Sequence, residues 1–100
     1  MIALVFSYEA RLPEEFERVY GPNGDWAEFF RRGSGYIGTE LLRDIEVTGR
    51  YVVIDRWESA EDYNAFALEH RDEYIRRSDE ALFHHRQELR FGTFENVWPD

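Results

Sequence analysis

Ile2, Leu4, Phe6 and Tyr8 alternate along the chain with Ala3, Val5 and Ser7. Alternation of period two predicts a strand, and apolar residues on both of its sides predict cover over both faces. Pro13 followed by Glu14 and Glu15 predicts a helix start, because proline needs no amide partner there and carboxylates favour the positive end of the helix dipole. That helix carries Phe16, Val19 and Tyr20 on one side. Gly21-Pro22-Asn23-Gly24 interrupts it, and Asp25 with Glu28 predicts a capping box that restarts it through Trp26, Phe29 and Phe30. Arg31, Arg32 and Gly33 close this second piece.

Tyr36 to Val47 and Arg50 to Glu58 predict two strands joined by a tight turn at Thr48-Gly49, an antiparallel hairpin. Ser59 with Asp62 predicts the cap of a long helix whose inner stripe runs Tyr63, Phe66, Ala67, His70, Tyr74, Ser78 and Leu82. The stretch from Ser78 also reads as a separate turn or helix. Arg90 to Trp98 predicts the last strand, ending at Pro99. The order strand, helix, strand, strand, helix, strand folds most simply as a ferredoxin-like, split βαβ α+β domain over residues 1–100, an antiparallel sheet with both helices on one face. Val52 and Ile54, opposite Tyr51, Val53 and Trp57, leave the other face apolar. A homodimer in which a second copy covers that face is therefore expected.

A chain of 100 residues supports one core. With no cysteine it has no disulfide framework, thiolate nucleophile, iron–sulfur cluster or cysteine zinc site. The 21 acidic residues outnumber the 12 basic ones, and a net charge of −9 repels phosphate backbones and anionic lipid, so neither nucleic acid nor a membrane is expected as a partner. All the basic residues are arginine, which excludes Schiff-base chemistry on a lysine side chain. The N-terminus is apolar but carries no basic leader and reaches Glu9 quickly, so a cytoplasmic location is expected. Aromatic residues make up 17% of the chain, and the polar tips of Tyr and Trp suit the lining of a cavity.

The stretches GYIGTELLRD, YVVIDRWES and AFALEHRDEY resemble the antibiotic biosynthesis monooxygenase family of small dimeric α+β barrels. The W-x-S junction at Trp57-Glu58-Ser59 is the most specific part of the likeness. The resemblance implies a dimeric α+β barrel and one of several activities, including cofactor-free oxygenation of polycyclic phenols and quinols and haem degradation. It implies a pocket-lining role for Trp57, with Tyr63 early in the next helix. The oxygenases' asparagine before the tryptophan is replaced here by Val53, and the first-strand asparagine of the haem degraders by Ser7 and Tyr8.

His70 stands on the inner stripe between Phe66 and Tyr74, where packing does not call for an imidazole. The helix doubles back over the preceding strand, so at about 1.5 Å per residue His70 lies about 15 Å from the junction. At about 3.3 Å per residue this is the level of Asp55, which shares a strand face with Trp57. An Asp55–His70 pair beside the indole is thus a candidate general base; the alternative is a core histidine hydrogen-bonded to Asp55 or to a tyrosine. Trp26, Phe30, Tyr36, Tyr63, Phe66 and Tyr74 are the expected lining of a site for a small aromatic ligand. His84 and His85 are adjacent, lack the spacing of a metal site and read as a solvated helix end. No metal and no cofactor are expected. The leading expectation is a cofactor-independent monooxygenase; a cyclase or isomerase using His70, a haem degrader and a non-catalytic dimeric binding protein are the alternatives.

Overall fold

A computed structural model of the chain describes residues 1–97 and, of residues 83, 86 and 87, the backbone alone. Strand β1 (Ile2–Ala10) forms where the alternation requires it. Helix α1 (Pro13–Tyr20) starts on Pro13, places Glu14 and Glu15 in its first turn and buries Phe16, Val19 and Tyr20. In α2 (Asp25–Phe30) the N-cap is Gly24, whose carbonyl accepts the Glu28 N–H at 3.0 Å, and among the described residues no side chain caps the helix. The expected Asp25–Glu28 capping box is therefore not formed. Asp25 already lies inside the helix, where its carboxylate acts on the dipole instead.

Strands β2 (Tyr36–Arg43) and β3 (Arg50–Trp57) make the expected hairpin with a longer turn than Thr48-Gly49. Asp44 Oδ1 accepts the N–H groups of Glu46 and Val47 at 2.7 and 3.1 Å, the Asp44 N–H donates to the Arg50 carbonyl, and Gly49 supplies a φ of +87°. An aspartate that captures the following amides takes them from the strand ladder, so β2 stops at Arg43.

Helix α3 (Ala60–Glu69) is capped as expected, with Ser59 Oγ accepting the Asp62 N–H at 3.1 Å. The single long helix, however, is broken at His70, with φ −108° and ψ 28°, and continues as α4 (Arg71–Ala81). A 3₁₀ turn at Leu82–His84 leads into β4 (His85–Glu95), so the last strand begins at His85 rather than Arg90. Leu82 is exposed, not part of the inner stripe, and His85 is buried against the sheet rather than at a solvated helix end. Trp98 and Pro99, assigned to the strand end, lie outside the described residues.

All neighbouring strands are antiparallel in the order β2-β3-β1-β4, the ferredoxin-like α+β fold. On β3 the residues Tyr51, Val53, Asp55 and Trp57 are buried under the helices while Val52 and Ile54 face the other way. Two aromatic clusters form the core, one around Tyr8, Phe16, Tyr20 and Tyr51, the other around Phe29, Phe30, Trp57 and Phe66; Phe6 and Trp26 pack against both. Gly33 permits the second cluster to close, because a Cβ there would lie 2.7 Å from Phe66 Cδ1 and 2.9 Å from the Trp57 ring. On the helix-free face, register groups Leu42, Leu89 and Phe94, all about half exposed, with Val5, Val52 and Ile54. Among the described residues no helix is long and apolar enough to cross a membrane.

Candidate functional site

Between the sheet and the helices lies a cavity of about 270 Å³. Strand alternation points Leu4, Phe6 and Tyr8 of β1 and Val53 and Asp55 of β3 into it, while α2 contributes Trp26 and Phe30 and α4 contributes Tyr74. The ring centroids of Trp26 and Tyr74 are 5.6 Å apart, and those of Trp26 and Phe30 also 5.6 Å. Tyr63 of α3 reaches across the helix break, its hydroxyl 2.9 Å from that of Tyr74. The wall is thus aromatic, with a few polar groups set into it, as small-molecule sites usually are.

Asp55 is a buried carboxyl among those polar groups. Register seats it between Thr39 of β2 and Leu4 of β1. The Thr39 hydroxyl donates to Asp55 Oδ1 at 2.7 Å, and Tyr36 Oη lies 2.6 Å from Thr39 Oγ1. Oδ2 has no protein donor among the described residues. Burial pushes the carboxyl up from its ordinary 3.8 to about 6, with the Thr39 hydrogen bond opposing the rise. Such a group holds its proton to mildly acidic pH and is a stronger base than a solvated carboxylate.

A second polar group lines the cavity from β4. His85 packs its ring 4.9 Å from Tyr8 and 6.2 Å from Tyr20, and burial, aided by the charges of His84 and Arg11, pulls it below the usual imidazole range. It is therefore neutral at pH 7. Burial also raises Glu88 above the ordinary carboxylate range, and it raises Tyr8, Tyr20 and Tyr74, which remain neutral hydroxyls throughout the physiological range. Among the described residues no three His, Asp or Glu side chains converge as a metal-binding group.

Of the residues expected at the site, Asp55, Trp26, Phe30, Tyr63 and Tyr74 line the cavity. Four do not. Trp57 is fully buried behind Phe30, Tyr36, Tyr63 and Phe66, with ring centroids 5.3 to 5.9 Å away, and its indole N–H has no partner among the described residues. Phe66 and Tyr36 belong to that packing. His70 lies at the α3–α4 break with its ring against Phe66 at 4.7 Å and Phe29 at 5.9 Å. It does not meet Asp55, whose oxygen is held by Thr39, so the expected pair is not formed. The helix break at His70 turns the imidazole toward Phe29 of α2.

Tyr8, Tyr20, His85 and Glu88 were not expected at the site. The inner alternation of the first strand and the apolar side of the first helix already marked Tyr8 and Tyr20. His85 and Glu88 carried no such signal, because the polar run before Arg90 hides the strand.

A ferredoxin-like sheet closing an aromatic cavity against its helices defines a class of small α+β domains. The antibiotic biosynthesis monooxygenase family model matches residues 26–76, and the chain belongs to that family. Among solved structures, SnoaB, a cofactor-independent oxygenase from Streptomyces nogalater, is similar in its unmutated form with a TM-score of 0.76 and in a single-residue variant with 0.80. Each is 20% identical, over 98% of this chain and 94% of that one. A candidate antibiotic biosynthesis monooxygenase from Nitrosomonas europaea aligns with a TM-score of 0.69 at 13% identity, over 98% of this chain and all of that one. At these identities the likeness is one of fold. No curated protein sequence matches the chain.

Proposed function

We propose that the protein is a cofactor-independent monooxygenase that takes a phenol- or quinol-type aromatic molecule into this cavity and works as a cytoplasmic homodimer. The observation that carries the reading is Asp55: a buried carboxyl with a pKa near 6, anchored through Oδ1, in the wall of an aromatic cavity. Family membership supports the reaction class, and a cysteine-free chain has no need of an oxidising compartment.

The chemistry balances without an added reductant. Asp55 takes the hydroxyl proton of the phenol, and the phenolate gives one electron to dioxygen. The phenoxyl radical and superoxide then join as a carbon–oxygen bond at the ring. The protonated Asp55 returns its proton to the peroxide. Loss of the ring C–H proton to Asp55 and cleavage of the O–O bond release the distal oxygen as water, with Asp55 again supplying the proton. One phenol and one dioxygen give one quinone and one water. Neutral tyrosine hydroxyls around the cavity are donors suited to the intermediate oxyanions.

A second reading, a non-catalytic dimeric binder of an aromatic ligand, draws on Val53. It puts an aliphatic side chain on the cavity wall where the resemblance implies an asparagine in the oxygenases. Turnover of a panel of hydroxynaphthalenes and hydroxyanthracenes in ¹⁸O₂, with no cofactor added, separates the two. Quinone carrying one heavy oxygen is the result expected of the oxygenase, whereas saturable fluorescence quenching of the tryptophans without oxygen uptake identifies the binder.

A further inference from the structure

We infer that Thr39 and Tyr36 are positioning residues for Asp55: they fix one oxygen of its carboxylate and thereby direct the other toward the substrate. The inference rests on the reading of Asp55 as the base. Neither residue lines the cavity; Thr39 reaches it through Asp55, and Tyr36 acts on Asp55 through Thr39 while its ring also packs 5.7 Å from Phe30 of the wall.

The hydrogen bonds have a direction. An ionised Asp55 only accepts, so the Thr39 hydroxyl spends its one proton on Oδ1 at 2.7 Å. Thr39 Oγ1 is then free to accept, and Tyr36, 2.6 Å away, must be its donor. A chain of donors polarised in one direction strengthens each bond, and it favours the ionised form of the carboxyl at its end. Adjacent strands hold all three residues: Thr39 is directly opposite Asp55 in the ladder, and Tyr36 opposite Trp57, whose ring packs 5.3 Å from it. The side-chain geometry is therefore set by the backbone, before any ligand enters.

The other titratable groups around Asp55 do not replace this control. Tyr8 on β1, Tyr20 on α1 and Tyr74 on α4 are neutral at any working pH. Tyr63 on α3 is bonded to Tyr74. On β4, His85 is neutral at pH 7 and Arg90 donates to Thr93 at 2.7 Å, and Glu88 is the other acid lining the cavity among the described residues.

The test is a carboxyl ¹³C NMR titration of Asp55 in the substrate-free protein, read beside the pH–rate profile, for wild type, Thr39→Val, Thr39→Ser and Tyr36→Phe. Thr39→Val removes a donor to the ionised form and should move the Asp55 midpoint up by about one pH unit. Thr39→Ser should restore it, and Tyr36→Phe should move it up by less. The acidic limb of the rate profile should follow the same order. An unchanged midpoint in Thr39→Val overturns the positioning role, and if that variant does not fold, an unchanged midpoint in Tyr36→Phe does so. Midpoints that move while the rate profile stays fixed keep the hydrogen-bond chain to Asp55 but remove Asp55 as the base, and with it any positioning for the reaction.

Discussion

Under the proposed reaction Asp55 ties stability and activity together at a single residue. A carboxyl raised from 3.8 to about 6 by burial binds more protons in the folded than in the unfolded chain between those values. Stability therefore falls as pH rises through that window, and the full cost is present above it. Two pH units correspond to about 3 kcal/mol. Asp55→Asn keeps an acceptor for Thr39 and removes the charge. Chemical denaturation should show it to be more stable than wild type by about 1 to 3 kcal/mol at pH 8, with the gap closing below pH 4. His70 should behave in the opposite way. Its ring packs on Phe66 and Phe29, so His70→Ala should lower stability by about 1 to 2 kcal/mol while turnover of folded protein stays near normal. Strand alternation made Asp55 legible in the sequence. Its partner was not, since a residue count along a helix carries no information on a break at His70 or on a hydroxyl supplied by the neighbouring strand.

At the scale of elements, the helix caps and close contacts decide how well α3 seats over β3. Ser59 holds the start of α3 with one hydrogen bond, and Ser59→Ala should cost about 1 kcal/mol, measured by thermal or urea unfolding. Gly33→Ala should cost about 1 to 3 kcal/mol by forcing apart the Trp57 and Phe66 rings. The order of elements followed from period and punctuation, as the starts of α1 at Pro13 and of β3 at Arg50 illustrate. Boundaries failed where a local side chain competes with the regular ladder. Asp44 ends β2 early by taking two amides, and Gly24 serves as N-cap where Asp25 was expected. The start of β4 at His85 was hidden because its first residues alternate polar with polar, and only the pairing of Ala10 with His85 across the sheet defines it.

Among the described residues one face of the sheet carries no helix, and there Leu42, Leu89 and Phe94 stay about half exposed around Val5, Val52 and Ile54. Water contact over such a face is unfavourable, and a second copy is the economical cover under the proposed assembly. Light scattering should give twice the 12.0 kDa chain mass. Ile54→Asp should shift that mass to the monomer or unfold the chain, since a carboxylate does not tolerate burial without a partner; a wild-type monomer at micromolar concentration would contradict the assembly.

The central claim is that Asp55 serves as the base of an oxygenation that uses no cofactor, and oxygen uptake by wild type and Asp55→Asn on the same saturating phenol tests it most directly. The account predicts one dioxygen consumed per quinone formed by wild type. For Asp55→Asn it predicts a rate lower by a factor on the order of 10² to 10⁴, in a protein that is at least as stable and binds the phenol about as well. Wild-type uptake by Asp55→Asn at pH 7 would contradict it.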